Sequence, residues 1–385
     1  MKIVYVIGSL AWKGGAERIL SEKMNYLSAL DGYDITVITC CQFPQNEPNT
    51  YYLSDRVRQI DLAIPAYRQY KYGYPRRLWE RRKYQRLLCQ ELEKAVNAID
   101  PDILIGVAYI LADVVCNIRC RAVKIIESHN NRQYALYSSR KTAPSIWSWL
   151  NKRLCRRGYL RTIEKRADIV VSLTQGEARD WRKAKRVEII PNFSTMPVSK
   201  LSDGTSKRVI AVGRLEWQKG YDRLLQAWSL VNQKHPEWHL DIFGEGPLEE
   251  ELKDQIIREE LDNVTIHPFT SDISLEYAAS SICVLTSRFE GFSLVLLEAL
   301  KHGVPCVTFD CSYGPAEVVD SQKCGFVVED GDCNELAEKL CYLMDHPKVG
   351  RLFATAAVAK AGQYDIDTIM QQWTTLFESL TSQKL

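Results

Sequence analysis

Two carboxylates in one apolar segment are the residues best suited to chemistry. Glu290 and Glu298 stand eight positions apart in SRFEGFSLVLLEAL, and nearly everything between them is apolar. Gly291 interrupts any helix, and Ser293 is a favourable residue for a helix N-cap. Glu290 is therefore predicted to lie in a loop, and Glu298 is predicted to lie inside the helix that follows.

A helix that begins at this point would suit a phosphate group. Its first backbone N–H groups have no partner within the helix, and they carry a partial positive charge. Carboxylates cannot help to bind phosphate, but they accept hydrogen bonds from hydroxyl groups. A nucleotide sugar has hydroxyls on both sides of its diphosphate, on the ribose and on the hexose, so such a ligand would explain both glutamates.

Three other junctions between a strand and a helix hold candidate residues. Arg214 and Lys219 in AVGRLEWQKG could neutralise a diphosphate, although each alone is more simply a solvated surface charge. Gly14 and Gly15 in IGSLAWKGGAER would let the backbone approach a ligand closely, although a glycine pair is more often a turn. His129 in IIESHNN is a lone histidine, which is more often structural, but its position at the carboxyl end of a strand makes it a candidate.

The composition indicates an ordinary globular protein. The chain has 385 residues, of which 46% are hydrophobic and 25% charged, enough for two domains with full cores. No apolar run is long enough to span a bilayer, and MKIVYVIGSL does not resemble a signal peptide. The 12 cysteines form no C-x-x-C pair, so reduced thiols in a cytoplasmic protein are expected. No histidine pair completes a zinc pattern, and no metal site is expected.

Short β-rich runs alternate with helical segments along the whole chain. Six runs from KIVYVIG to VEIIPNF precede a polar stretch, STMPVSKLSDGTSK, and six more follow, from RVIAVGRL to GFVVED. Such alternation predicts an α/β fold of two Rossmann-like, doubly wound domains that face each other across a cleft. The predicted domains cover residues 1–195 and 205–365. An amphipathic helix, within residues 367–385, is predicted to pack back on the first domain.

Charge is distributed unevenly between the two halves. Residues 1–195 hold 33 Lys and Arg against 19 Asp and Glu, whereas the rest of the chain holds 17 against 29. Residues 76–88 and 147–166 mix basic side chains with Trp, Tyr and Leu, which suits an anionic membrane surface. A solvated helix face is the simpler alternative, and no nucleic-acid recognition motif is present. We expect a peripheral protein at the inner face of the plasma membrane.

The sequence resembles the family 4 retaining glycosyltransferases, which have the GT-B fold. Their Glu, seven residues, Glu motif matches Glu290 and Glu298. KGGAER, SHN, GRLEWQKG, FGEGP and YGPAEVVDSQKCGFVVEDGD also occur in the family's order. Residues 44–100 match nothing specific, and acceptor-binding regions of the family vary most there. The resemblance implies an enzyme that moves a hexose or an N-acetylhexosamine from a nucleotide sugar, UDP by family habit, to an acceptor.

The resemblance also implies a role for each candidate residue. Glu298 would hold the donor ribose, and Glu290 would contact the hexose near its 3-hydroxyl. Arg214 and Lys219 would neutralise the diphosphate and stabilise the leaving group. His129 would lie across the cleft against the transferred sugar.

The backbone would complete the donor site. Phe292, Ser293 and Leu294 would cradle phosphate and sugar, and Gly14 and Gly15 would line the cleft near the diphosphate. The resemblance implies no cofactor beyond the nucleotide sugar and no metal, because cations replace it. The acceptor would be a glycan or a lipid-diphosphate-linked glycan of a surface polysaccharide, and no nucleic acid would bind.

In this family the sugar is transferred on its front face with retention, and the departing phosphate helps to deprotonate the acceptor. A glycosidase-like alternative would use Glu290 as nucleophile and Glu298 as acid, but a position inside a helix makes Glu298 a poor acid. Two other functions stay open. A nucleotide-sugar epimerase of the same fold would need no acceptor. An inactive scaffold subunit would usually have lost one of four charged residues, and the presence of all four argues for an enzyme: Glu290, Glu298, Arg214 and Lys219.

Overall fold

A computed structural model describes residues 1–12, 14–42, 47–73, 76–108, 111–129 and 157–382. The contacts between residues divide the chain into two compact units. The first comprises Met1–Leu173, Glu177–Ile190 and Met370–Leu385, and the second comprises Thr174–Gly176 and Pro191–Ile369. Within the described ranges, no helix is both long and apolar enough to cross a bilayer. The basic segment at 147–166 lies outside the described residues up to position 156.

The first unit is built on a seven-stranded sheet in which every pair of neighbours is parallel. The spatial order of the strands is β3-β2-β1-β4-β5-β6-β7. The strands are β1 (Lys2–Ile7), β2 (Asp34–Thr39), β3 (Arg58–Asp61), β4 (Ile103–Val107), β5 (Val123–Ser128), β6 (Ile169–Ser172) and β7 (Val187–Ile189).

Helices connect these strands as crossovers. They are α1 (Gly15–Ala29), α2 (Arg76–Ile99), α3 (Ala112–Asn117) and α4 (Gln175–Ala178), and residues 157–166 are also helical. The strands β1 and β4 are almost continuous apolar runs, as parallel strands covered on both faces require, and all but the first residue of β2 is buried. The helix α2 buries one stripe, which includes Leu88, Leu92 and Val96, and its other faces are mostly polar apart from exposed residues such as Trp79.

The second unit has a six-stranded parallel sheet in the order β10-β9-β8-β11-β12-β13. Its strands are β8 (Arg208–Val212), β9 (His239–Phe243), β10 (Val264–His267), β11 (Ile282–Leu285), β12 (Cys306–Phe309) and β13 (Gly325–Val328). Its helices are α5 (Tyr221–Lys234), α6 (Glu249–Arg258), α7 (Ile273–Ala278), α8 (Leu294–Lys301), α9 (Pro315–Val318), α10 (Cys333–Asp345) and α11 (Pro347–Ala361).

The last helix, α12 (Ile366–Ser382), begins in the second unit, and its residues from Met370 onward group with the first. One face of α12 is buried, and it includes Met370, Trp373 and Phe377. The predicted domain bounds stay predictions, since the units are defined by contacts and are interleaved along the chain.

The predicted fold class is confirmed. Two parallel sheets, each with its order reversed about a central strand, are the Rossmann-like arrangement that the alternating pattern indicates. All 12 predicted strand segments contain a strand of the structure. The strand β3 was not predicted, because its sequence RQID is mostly exposed at the sheet edge and lacks an apolar run.

Candidate functional site

Two loops meet at the point where the strand order of the second sheet reverses. The central strand β8 lies between β9 and β11, so the loop after β8 (residues 213–220) and the loop after β11 (residues 286–293) leave neighbouring strands at the same edge. In open α/β sheets, ligands bind at this position, beyond the carboxyl ends of the strands.

Hydrogen bonds join these two loops directly. The backbone N–H of Arg288 donates to the Gln218 carbonyl at 2.7 Å, and the Gln218 side-chain amide donates to the Phe289 carbonyl at 3.1 Å. The Arg288 guanidinium also donates to the Trp217 carbonyl at 2.7 Å and pairs with Asp222. These contacts hold the two loops in a fixed register.

Glu290 is the centre of this junction. Its Oε1 accepts hydrogen bonds from Lys219 Nζ at 2.8 Å and from Ser287 Oγ at 2.6 Å. The Lys219 side chain is 15% exposed and that of Glu290 is 9% exposed, so the pair is largely shielded from water. Such a pair is hard to break, because either charge alone would then be left unpaired in a poorly solvated place.

Arg214 lies on the same loop in a different environment. Its Nη1 donates to Glu216 Oε1 at 3.1 Å, and its side chain is 59% exposed. An exposed pair of this kind contributes little to stability, so Arg214 can leave Glu216 at small cost. The loop therefore presents one fixed cation, Lys219, and one that is free to rearrange.

Three residues give the loop after β8 its path. Gly220 has a φ of 67°, and a Cβ at that position would lie 2.2 Å from the Thr286 carbonyl oxygen. The hydroxyl of Tyr221 donates to the Gly213 carbonyl at 3.1 Å. Burial, with a further contribution from Glu290, raises the pKa of Tyr221 and keeps this donor protonated.

The helix α8 begins as predicted. Ser293 is its N-cap, and the Ser293 hydroxyl accepts from the Leu296 N–H at 3.4 Å. Leu294 is the first helical residue, so its N–H belongs to the set that has no acceptor within the helix. Phe292 is buried and packs edge-on against Tyr364, with ring centroids 5.5 Å apart, which fixes the loop just before the helix.

Glu298 lies inside α8, as predicted, and is 4% exposed. The Tyr277 hydroxyl lies 3.4 Å from Glu298 Oε2. His302 fixes the end of the same helix, since its Nδ1 lies 2.7 Å from the Glu298 carbonyl and its Nε2 lies 2.7 Å from Ser274 Oγ. Burial lowers the pKa of His302, and Nδ1 donates to the Glu298 carbonyl, because a carbonyl oxygen can only accept.

His129 belongs to the first unit, directly after β5. Its side chain is 3% exposed, and its Nε2 lies 2.8 Å from Glu127 Oε2. Lys23 Nζ lies 2.7 Å from both oxygens of the same carboxylate. This buried group of three charged or titratable side chains was not predicted.

Gly14 and Gly15 mark the start of α1. Gly14 is the N-cap, and a Cβ there would lie 2.0 Å from Glu17 Oε2, so the side chain that approaches this glycine most closely is that of Glu17. Among the residues with described coordinates, no three His, Cys, Asp or Glu side chains are grouped as a metal ion would require.

The structure thus brings one part of the predicted site together. Glu290 and Lys219 are in contact, and the cap of α8 follows Glu290 by three positions. Ser287, Glu127 and Lys23 were missed. A glutamate inside the apolar strand VKIIES was the available signal for Glu127, because a parallel strand covered on both faces seldom carries a charge without a partner.

Family models match both halves of the chain. Residues 13–193 match the model described as Glycosyltransferase Family 4, and residues 192–358 match the model described as Glycosyl transferases group 1. The chain belongs to these glycosyltransferases. It is therefore a transferase enzyme with the GT-B fold, as the resemblance of its motifs implied.

Relatives and solved structures agree with this assignment. An uncharacterized glycosyltransferase from Haemophilus influenzae is 29% identical over 97% of this chain and 98% of its own length. The amylovoran biosynthesis glycosyltransferase AmsD from Erwinia amylovora is 33% identical, but the match covers 54% of this chain and only 61% of AmsD.

Two solved structures have the same fold over nearly their full length. Sucrose-phosphate synthase from Thermosynechococcus elongatus has a TM-score of 0.80 at 18% identity, with 99% of each chain covered. A variant of TarM from S. aureus, solved with fondaparinux, alpha-GlcNAc-glycerol and UDP, has a TM-score of 0.73 at 16% identity, with 98% of this chain and 99% of TarM covered.

Proposed function

We propose that this glycosyltransferase takes its sugar from a nucleotide sugar, with UDP as the nucleotide, and transfers it with retention of configuration. The observation that carries the proposal is Glu290, held by Lys219 and Ser287 at the reversal point of the second sheet and followed at once by the capped start of α8. UDP is supported by its presence in the TarM structure.

Each charged residue has a role that fits its environment. Glu298 binds the ribose hydroxyls, and Glu290 binds a hydroxyl of the hexose. The backbone of Phe292, Ser293 and Leu294 cradles phosphate and sugar. The two carboxylates act as hydrogen-bond acceptors and the backbone N–H groups act as donors. The surrounding protein holds all of them in place before the ligand binds.

Cations stabilise the leaving diphosphate. Lys219 stays fixed near Glu290, while Arg214 gives up its exposed partner and moves to the phosphates. In the first unit, His129 contacts the transferred hexose, and Gly14 and Gly15 lie close to the diphosphate. As the bond between sugar and phosphate breaks, the departing oxygen takes the proton of the attacking hydroxyl, and no step requires a metal.

The acceptor that we propose is a glycan or a lipid-diphosphate-linked glycan in the synthesis of a surface polysaccharide. AmsD, which is named for amylovoran biosynthesis, supports a polymer pathway. We further propose that the enzyme works on the inner face of the plasma membrane. The exposed part of α2 supports this, because Trp79 is 64% exposed on it among basic residues such as Arg82 and Lys83.

Thermal unfolding with a panel of nucleotide sugars tests the donor site. A ligand at 100 times its Kd stabilises the folded protein by about 2.7 kcal/mol. One UDP-sugar should raise the Tm of the wild type and of Glu250→Ala, an exposed control in the same unit, but not that of Glu298→Ala. No shift with any nucleotide sugar would refute the proposal and favour a scaffold subunit.

Product analysis tests the chemistry. With the stabilising donor and an acceptor glycan, NMR of the new anomeric centre should show retained configuration, and EDTA should leave the rate unchanged. Conversion of the donor without any acceptor would instead favour an epimerase.

Flotation with anionic vesicles tests the membrane proposal. At low salt the vesicles should carry the wild type but not Trp79→Ser, and equal recovery of both would reject α2 as the membrane contact.

A further inference from the structure

Lys23, Glu127 and His129 form a buried chain of contacts in the first unit. Lys23 comes from α1, Glu127 from β5, and His129 from the residue after the strand. Each of the three side chains is at most 3% exposed. The contacts are short, at 2.7 Å for Lys23 with each oxygen of Glu127 and 2.8 Å for Glu127 with His129.

Stability alone does not explain why an ion pair is buried here. Removing two charges from water costs about as much as their attraction returns, and well-packed apolar residues of the same volume often serve better. The Trp373 ring adds a further contact, since its centroid lies 3.6 Å from Lys23 Nζ. Lys23 and His129 thus hold the Glu127 carboxylate directly, and Trp373 holds Lys23.

The carboxylate determines which ring nitrogen of His129 carries a proton. Burial raises the pKa of Glu127, but Lys23 and His129 outweigh that effect and lower the pKa to about 2. An ionised carboxylate only accepts hydrogen bonds, so His129 must donate to it from Nε2. The other ring nitrogen, Nδ1, is buried and has no partner among the residues that the structure describes.

We propose that Glu127, held by Lys23, is a positioning residue that fixes the proton of His129 on Nε2 and reserves Nδ1 as an acceptor for a hydroxyl of the sugar substrate. A buried nitrogen with no partner is costly, and a ligand hydroxyl would remove that cost. This inference rests on the proposed function, which assigns His129 to the transferred hexose.

Two double variants separate positioning from stability. Lys23→Met with Glu127→Met removes both charges at similar volume and leaves Nε2 without an acceptor. Lys23→Met with Glu127→Gln also removes both charges, but the amide oxygen can still accept from Nε2. Single variants are less informative, because each leaves one buried charge unpaired and destabilises the fold.

Both double variants should unfold near the wild-type Tm and should keep the Tm increase that UDP produces. The Met/Met variant should lose at least tenfold in kcat with the UDP-sugar, and the Met/Gln variant should recover most of that loss. A surface double variant of the same unit, Lys185→Met with Asp168→Asn, should match the wild type throughout. A Met/Met variant with wild-type Tm and wild-type kcat would overturn the proposal.

Nitrogen-15 NMR of the imidazole rings tests the same proposal with no substrate present. At pH 8 the His129 ring, identified by the signal that vanishes in His129→Ala, should carry its proton on Nε2, as should His267, whose Nε2 lies 2.6 Å from Asp241 Oδ1. In the Met/Met variant the His129 signal should show both tautomers. A wild-type His129 with its proton on Nδ1 would overturn the proposal. If this tautomer result holds but no nucleotide sugar stabilises the protein, the proposed function fails while the positioning stands.

Discussion

At the scale of single residues, two ion pairs of the same chemistry contribute differently to stability because one is buried and the other is exposed. Lys219 and Arg214 lie on one loop and each pairs with a glutamate, but the first pair is mostly buried and the second is exposed. The attraction between two charges grows as water is excluded, and so does the cost of leaving one charge alone.

Substitution of each cation by methionine should therefore separate stability from catalysis. Lys219→Met leaves Glu290 in a shielded place with Ser287 as its remaining donor and should lower the free energy of unfolding by about 3–5 kcal/mol. Arg214→Met should change it by less than about 0.5 kcal/mol. Both should lower kcat. Urea unfolding and steady-state kinetics measure the two effects, and equal destabilisation would contradict the assignment of Arg214 as a rearranging cation.

Glu177 should make the stability of the protein depend on pH. Burial, opposed by hydrogen bonds from Ser128 and Ser172, raises the pKa of Glu177 to about 7 from an ordinary value of 4.5. The folded protein then holds this proton more tightly than the unfolded chain does. The stabilisation is complete below about pH 4.5 and is lost as the pH rises through 7.

Relative to Glu177→Gln, which stays neutral, the wild type should lose on the order of 3 kcal/mol of unfolding free energy between pH 5 and pH 8. Chemical unfolding at several pH values measures this difference. Parallel pH profiles of wild type and variant would show that Glu177 ionises normally.

Single-residue predictions from sequence succeeded where the signal was local. The spacing of Glu290 and Glu298 around Ser293 was enough to place one carboxylate in a loop and the other in a helix, and the structure confirms both. The pair of Lys23 and Glu127 could not be found in this way. Its members are 104 positions apart, and only the packing of α1 against the sheet brings them into contact.

At the scale of elements, the two loops at the edge of the second sheet act as one unit, and a glycine makes their close approach possible. Gly220 has a left-handed backbone conformation, and the Thr286 carbonyl oxygen occupies the place that its Cβ would take. Gly204 has a similar φ of 66° but has nothing within 4 Å of a Cβ, so it provides a matched control.

Gly204→Ala should cost about 1 kcal/mol, the price of the left-handed conformation alone. Gly220→Ala should cost more, because the backbone at Thr286 must also move, and it should weaken UDP-sugar binding by displacing Lys219. Thermal unfolding with and without the donor measures both. Equal effects of the two substitutions would mean that the contact with Thr286 is unimportant.

Elements were largely predictable because apolar runs and helical spacing repeat along the chain. The strand β3 was not predicted, because an exposed edge strand needs no apolar pattern. Its hydrogen bonds to the neighbouring strand β2 define it instead. Such patterns also do not predict the order of the strands within each sheet, because that order depends on which crossovers pack together.

At the scale of the whole molecule, the chain's last helix completes a unit that its first residues begin. Trp373 of α12 is 2% exposed and covers Lys23. Trp373→Ala should lower the free energy of unfolding by about 3–5 kcal/mol, as loss of a large buried aromatic usually does. Hydrogen exchange should locate the effect in the first unit, with faster exchange in α1 and β5, whereas faster exchange confined to the second unit would contradict it.

The same helix has a consequence for the order in which the protein acquires its structure during synthesis. Domains generally fold as they emerge from the ribosome, beginning with the N-terminal one. Here the first sheet can form early, but the ammonium group of Lys23 gains its contact with the Trp373 ring only after Trp373 has been translated. Because the second unit ends at Ile369 and thus precedes Trp373, the first unit can complete this part of its core only after the second unit has been translated.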